Sequence, residues 1–147
     1  MAGIYIHVPF CASRCIYCAF YTTTTLSSQD RLVQALCSEL EMRRDYLLDK
    51  AAPSLPITIG TIYLGGGTPS RLSEQNLQRL FDTIYNKEST FHISPHAEVT
   101  IECNPDDITP RFAQAISRLP VNRVSMGVQT FSDERLTFLR RRHKATD

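Results

Sequence analysis

Apolar and polar positions along this chain follow two periods, two residues in some stretches and between three and four in others, and the two kinds of stretch take turns. Ile4 and Ile6 fall on one face of residues 3–8 and Tyr5 and His7 on the other, which predicts a strand. Over residues 29–48, Leu32, Leu36 and Leu40 recur every fourth position, and Val33, Cys37 and Leu47 widen the stripe, so an amphipathic helix is expected there. Either Ser27 or Ser28 can cap its start. The run Ala51-Ala52-Pro53-Ser54-Leu55-Pro56 breaks that helix, because each proline removes a backbone donor and restrains its predecessor. The β-branched stretch from Ile57 to Leu64 predicts a second strand, ending at Gly65-Gly66-Gly67. Ser73 then caps a helix over 74–86, whose apolar face is Leu77, Leu80, Phe81 and Ile84.

The alternation continues. From Glu98 to Cys103, Val99, Ile101 and Cys103 share one face of a third strand, and Glu98, Thr100 and Glu102 share the other. Thr109-Pro110 opens a helix running to about Arg118. In a fourth strand, Arg123 to Gln129, Val124, Met126 and Val128 oppose Arg123, Ser125, Gly127 and Gln129, and Ser132 opens a helix carrying Leu136 and Leu139. Strand followed by helix, four times, predicts right-handed parallel crossovers and a single α/β domain. If the apolar faces of the third and fourth strands pack under the helices, Glu102 and Gln129 both point to the inner side of the sheet.

Composition narrows the function. A content of 42% hydrophobic residues in 147 is globular, and a net charge of +1 creates no field that would gather nucleic acid or anionic lipid. The one basic run, Arg140-Arg141-Arg142-His143-Lys144, reads by itself as a solvated helix face. No stretch approaches the ~20 apolar residues of a membrane span, and the amino terminus leads directly into a strand, so a cytoplasmic protein is expected. Five cysteines, three of them within eight residues, suit metal binding in a reducing compartment better than a disulfide framework.

Those three are Cys11, Cys15 and Cys18, on a loop just past the first strand. Three thiolates are one short of a closed zinc site and one short of a saturated iron–sulfur cluster, so a 4Fe–4S cluster held there keeps one iron open. The alternative is a zinc site that recruits His7, Cys37 or Cys103 as fourth ligand. Cys37 lies on the apolar side of its helix and is expected to pack as a small hydrophobe, as is Cys103. All the chemically suggestive stretches follow the carboxyl ends of strands, where α/β folds surround their ligands. Gly65-Gly66-Gly67 there either permits a tight turn or lets backbone groups approach a ligand. Glu102 is either a ligand-binding group or a structural carboxylate paired with Arg123 or Arg71.

Tyr5-Ile6-His7-Val8-Pro9-Phe10 leading into Cys-x3-Cys-x2-Cys resembles the opening of radical S-adenosylmethionine (SAM) enzymes. Further matches are Tyr63-Leu64-Gly65-Gly66-Gly67-Thr68-Pro69-Ser70, Thr100-Ile101-Glu102-Cys103-Asn104-Pro105 and Arg123 to Phe131. More narrowly, the chain is similar to the oxygen-independent coproporphyrinogen III oxidase group and its relative, the radical SAM haem chaperone. The resemblance implies a partial TIM-like barrel of six βα units, about four of them present. Residues 1–147 then form the amino-terminal portion of the core domain, without the closing strands and carboxy-terminal domain.

It also implies a 4Fe–4S cluster on Cys11, Cys15 and Cys18, with His7 behind them. Tyr5, Gly66, Gly67, Thr68, Glu102, Gln129 and Arg141 would contact SAM, with Arg140 or Arg142 replacing Arg141 if the register is displaced by one. Haem or a porphyrinogen, an electron donor and a haem-recipient protein are the implied partners. The oxidase pattern has a further cysteine two residues past the third; Phe20 stands there. Together with the short lead before the first strand, this favours the chaperone over the oxidase. A zinc-binding interaction domain is the expectation from a different class.

Overall fold

The computed structural model describes residues 2–47, 57–86 and 91–147. Strands β1 (Ala2–Val8), β2 (Ile57–Gly66), β3 (Phe91–Cys103) and β4 (Arg123–Met126) form one parallel sheet in the order β1-β2-β3-β4. Between and after them lie α1 (Gln29–Met42), α2 (Glu74–Ile84), α3 (Pro110–Ile116) and α4 (Asp133–Phe138). The α/β architecture of four strand–helix units expected from the periodicity is therefore the one observed.

Alternation decides the layers. Ile6 and Val8, Ile59, Ile62 and Leu64, and Val99, Ile101 and Cys103 are buried on one face of the sheet. Val33 and Cys37 from α1 and Leu77, Leu80, Phe81 and Ile84 from α2 close over them. Each such side chain contributes about 1.5–3 kcal/mol on leaving water, which is what docks the helices. The opposite face carries Tyr5, His7, Tyr63, Thr100, Glu102, Arg123 and Ser125, and it is the side on which ligand chemistry can be placed.

Ile59 and Ile62 are three apart yet both fully buried, which strict alternation forbids. The register with β3 slips between Ile59 and Thr61 and restores the phase. On the β3 side the slip spans Pro95, which has no N–H to give a ladder. β3 consequently starts at Phe91, seven residues before the alternation at Glu98 becomes readable.

Several other expectations need correcting. α1 ends at Met42, Leu47 is 44% exposed outside the stripe, and the proline break at 51–56 lies outside the described residues. Ser28 occupies the cap position without capping; its Oγ donates to the Thr25 carbonyl instead. The start of α1 is held by its neighbour, since Asn76 Nδ2 on α2 donates to Asp30 Oδ1 at 2.7 Å and to Gln29 Oε1 at 3.2 Å. Ser73, Thr109 and Ser132 do cap their helices, each accepting from the backbone N–H three residues on. β4 stops at Met126, and Val124 and Met126 remain 42% and 45% exposed, because the sheet ends at β4 among the described strands.

Candidate functional site

At the carboxyl ends of the strands lies a cleft of about 230 Å³. Of the expected residues it is lined by Cys11, Cys15, Cys18, Gly66, Gly67, Thr68, Glu102, Gln129 and Arg141. The cysteine loop is closed at its base by a bridge between Phe10 and Thr23, with Cys11 N–H donating to the Thr23 carbonyl at 2.9 Å and Thr23 N–H to the Pro9 carbonyl at 2.8 Å. Phe10 is buried beneath it and anchors that base.

The glycine loop packs directly on this base. Gly67 N–H donates to the Val8 carbonyl at 2.8 Å, and a Cβ on Gly67 would stand 2.7 Å from the carbonyl carbon of Pro9. Gly66 has φ of 108°, and a Cβ there would meet the His7 ring at 2.6 Å. Glycine is thus required first by the neighbouring strand and loop, and only through them by whatever the cleft binds.

Polar contacts tie the four loops together. Arg141 Nη2 donates to Asn104 Oδ1 at 2.7 Å and to the Gly127 carbonyl at 2.6 Å, while Nη1 reaches Cys15 Sγ at 3.6 Å. Asn104 Nδ2 in turn donates to Thr68 Oγ1, and Thr68 Oγ1 to Cys11 Sγ at 3.6 Å. Burial pushes the Cys11 thiol up, aided by the neighbouring Cys18 and Cys15; the Thr68 hydrogen bond and the Arg141 charge pull it back.

Glu102 accepts from Tyr63 Oη at 2.6 Å and from Gly66 N–H at 3.1 Å. The ion-pair alternative does not hold in this structure: Arg123 pairs with Glu98 at 3.2 Å, and Arg71 with the buried Asp107 at 3.1 Å.

The basic run at 140–144 is not a helix face. α4 ends at Phe138, Arg140 adopts φ of 57°, Arg140, Arg141 and Arg142 all line the cleft, and His143 is buried. His143 Nε2 donates to the Val128 carbonyl at 3.0 Å, one residue before Gln129. Gln129 itself lies three residues beyond the end of β4 with φ of 67°, so a left-handed turn aims it and strand alternation does not.

Two expected residues stand back from the cleft. Tyr5 is 60% exposed and lines a separate groove against α1, with its ring stacked on Tyr63 at 6.1 Å. His7 lines the same groove; its Nδ1 meets Tyr5 Oη at 3.2 Å and its Nε2 the Tyr21 carbonyl at 3.3 Å, which braces the cysteine loop from behind. Asn104, Tyr63 and His143 carry contacts that no local pattern announces: Tyr63 and Asn104 lie in the motifs at the ends of β2 and β3, and a buried histidine in a basic run has no local signature.

Among the described residues no three His, Cys, Asp or Glu side chains are grouped so as to hold one metal ion. A 4Fe–4S cluster makes a different demand, one thiolate per iron. Three cysteines on one cleft, with hydrogen-bond donors on Cys11 and Cys15, fit that demand. The fourth ligands considered for zinc are otherwise engaged: His7 through both ring nitrogens, Cys37 in the core facing the Arg79 carbonyl.

Cys103 borders the cleft floor but is 3% exposed, and burial pushes its thiol to about 12, with the Asp107 charge adding to the effect. Because the folded value is raised, ionisation opposes folding: this contribution is intact below the ordinary thiol value of about 8.5 and is lost as pH climbs above it. In cluster-free protein at pH 8, iodoacetamide is expected to modify Cys15 and Cys18 and to leave Cys103 unmodified until the fold is denatured. Peptide mass spectrometry reads the order, and labelling of Cys103 as fast as Cys15 would contradict its burial.

A parallel four-stranded α/β sheet with three cysteines after its first strand and a glycine loop after its second defines a class. The chain matches the Radical SAM superfamily over residues 5–147 and belongs to it. Among curated relatives it is 40% identical to the heme chaperone HemW of Mycobacterium tuberculosis over 96% of this chain, and 36% identical to that of Bacillus subtilis over all of it. It spans about a third of their length, 35% and 37% respectively. Among solved structures, coproporphyrinogen III oxidase (HemN) from Escherichia coli, described as a radical SAM enzyme, superposes with a TM-score of 0.81 at 27% identity, covering 97% of this chain and 31% of that one.

Proposed function

We propose that this chain is the cluster- and SAM-binding portion of a haem chaperone. The observation that carries the reading is the cleft itself, which brings Cys11, Cys15 and Cys18 together with Gly66, Gly67, Thr68, Glu102, Gln129 and Arg141. When bound, the cluster and SAM would supply one-electron chemistry at an open iron. The chain's part is to bind and orient. Thr68 and Arg141 donate hydrogen bonds to the sulfurs of Cys11 and Cys15, the glycine loop offers backbone groups, and Glu102 offers a carboxylate to hydroxyl or ammonium donors. The guanidinium of Arg141, already bridging Asn104 and Gly127, suits a carboxylate partner.

Phe20 supports the chaperone over the oxidase. It lines the cleft, 65% exposed, at the position where the oxidase pattern has its further cysteine, and a phenyl ring offers neither a thiol's proton nor its redox chemistry. Radical decarboxylation needs a propionate placed against the reacting carbon, where a displacement of about 1 Å can cost about a hundredfold in rate. Carriage of haem makes no such demand. The fold's likeness to coproporphyrinogen III oxidase is what favours the second reading, oxidative decarboxylation. No helix among the described residues is long and apolar enough to cross a membrane.

The deciding experiment is anaerobic incubation of the full-length parent protein, reconstituted with its cluster, with SAM, a reductant and coproporphyrinogen III, and a parallel haem titration of the same full-length protein followed by Soret absorption. Haem binding with no decarboxylated product is expected. Protoporphyrinogen formed over multiple turnovers would overturn the chaperone reading in favour of the oxidase.

A further inference from the structure

Tyr63 stands at the middle of the polar sheet face, paired in register with Tyr5 on β1 and Thr100 on β3. Its hydroxyl donates to Glu102 Oε1 at 2.6 Å, while Gly66 N–H takes Oε2 at 3.1 Å. Glu102 has no cationic partner among the described residues, since the nearby Arg123 is spent on Glu98. A carboxylate that borders a cleft and is held only by neutral donors keeps its charge available. It offers about four acceptor directions, of which Tyr63 and Gly66 use two.

Three further contacts make Tyr63 more than a neighbour. Its ring stacks on Tyr5 with an interplanar angle of 27°. Tyr5 Oη meets His7 Nδ1, and His7 Nε2 meets the Tyr21 carbonyl, on the loop that carries the cysteines. The hydrogen bond to Glu102, with burial second, pushes the Tyr63 hydroxyl above its ordinary value, so it remains a donor throughout the neutral range.

We propose that Tyr63 is a positioning residue for SAM binding: it fixes the Glu102 carboxylate toward the cleft, and through the stacked Tyr5 and His7 it sets that carboxylate in register with the cysteine loop. This rests on the reading above that Glu102 contacts SAM. Without the hydroxyl, Glu102 keeps one anchoring donor instead of two and must be ordered when the ligand arrives, which weakens binding. Phenylalanine at this position retains the ring, its stack on Tyr5 and its volume, so it isolates the donor.

The test is Tyr63→Phe in protein reconstituted anaerobically with iron and sulfide, titrated with SAM by calorimetry, beside wild type, Glu102→Gln and the double variant. Iron content and thermal midpoint are expected to match wild type, with the Kd for SAM raised about tenfold. In the Glu102→Gln background the same substitution is expected to change Kd by less than about twofold, because the hydrogen bond to a charged acceptor is already gone. A general packing defect would move both backgrounds equally. Wild-type or tighter affinity in Tyr63→Phe, an equal loss in both backgrounds, or loss of the cluster would each overturn the proposal. Absence of SAM binding in wild type would remove the reading of Glu102 and this inference with it; wild-type binding with an unaltered Tyr63→Phe variant removes only the role of Tyr63.

Discussion

Replacing Cys11, Cys15 or Cys18 singly by alanine is expected to abolish the 4Fe–4S cluster, while Cys37→Ala and Cys103→Ala leave it formed. A cluster on three protein thiolates already has one iron without a cysteine, and deleting a ligand exposes a second labile metal. The three loop cysteines are partly accessible and share one cleft; Cys37 and Cys103 are buried in the core. After anaerobic reconstitution, iron is expected to fall from about four per chain to below one in each loop variant, with loss of the broad visible absorption. The two core variants should cost stability through a small cavity, about 1 kcal/mol, without touching iron content. Unchanged iron in the Cys15 variant would sink the assignment. Stoichiometric zinc with no visible absorption would support the zinc-domain reading in its place.

The second large effect is expected at Gly66. A valine there combines φ of 108°, which β-branched residues scarcely adopt, with a Cβ 2.6 Å from the His7 ring. Backbone strain of this kind costs about 1–3 kcal/mol, and forcing apart a packed contact about 1–3 more. Two consequences follow from the contacts of this turn. His7 would lose its hold on the Tyr21 carbonyl, and the Gly66 N–H would shift from Glu102. Gly66→Val should therefore lower the thermal midpoint by roughly 5–15 °C and weaken SAM binding by at least about tenfold. Thermal unfolding and SAM titration of the same sample check it. A normal midpoint would show that the glycine is not structurally required, and normal affinity would remove this loop from the SAM site.

Much of the fold was legible in sequence because periodicity and burial express one physical constraint. Leu77, Leu80, Phe81 and Ile84 had to share a side of a helix, and Val99, Ile101 and Cys103 a side of a strand, since each must leave water. The three cysteines were legible for a similar reason: a short loop can gather them whatever the rest of the chain does.

Other features follow from contacts between distant segments, which no local pattern encodes. The slip between Ile59 and Thr61 lets two isoleucines of opposite phase both reach the core, and it depends on the partner strand around Pro95. Alternation puts Glu102 on the polar face of the sheet, but it cannot name its partners: Arg123 and Arg71 are equally plausible on charge, and register gives Arg123 to Glu98 while Asp107 takes Arg71. The basic run from Arg140 looks solvated because charge usually is. Only the assembled loops supply the carbonyl of Gly127, the amide of Asn104 and the sulfur of Cys15 that turn Arg141 inward, and the carbonyl of Val128 that buries His143. The sequence by itself determined which residues are hydrophobic, how they repeat and where three thiols crowd together; tertiary structure decided which polar group meets which, because hydrogen bonds are short and directional and depend on where the folded elements finally rest.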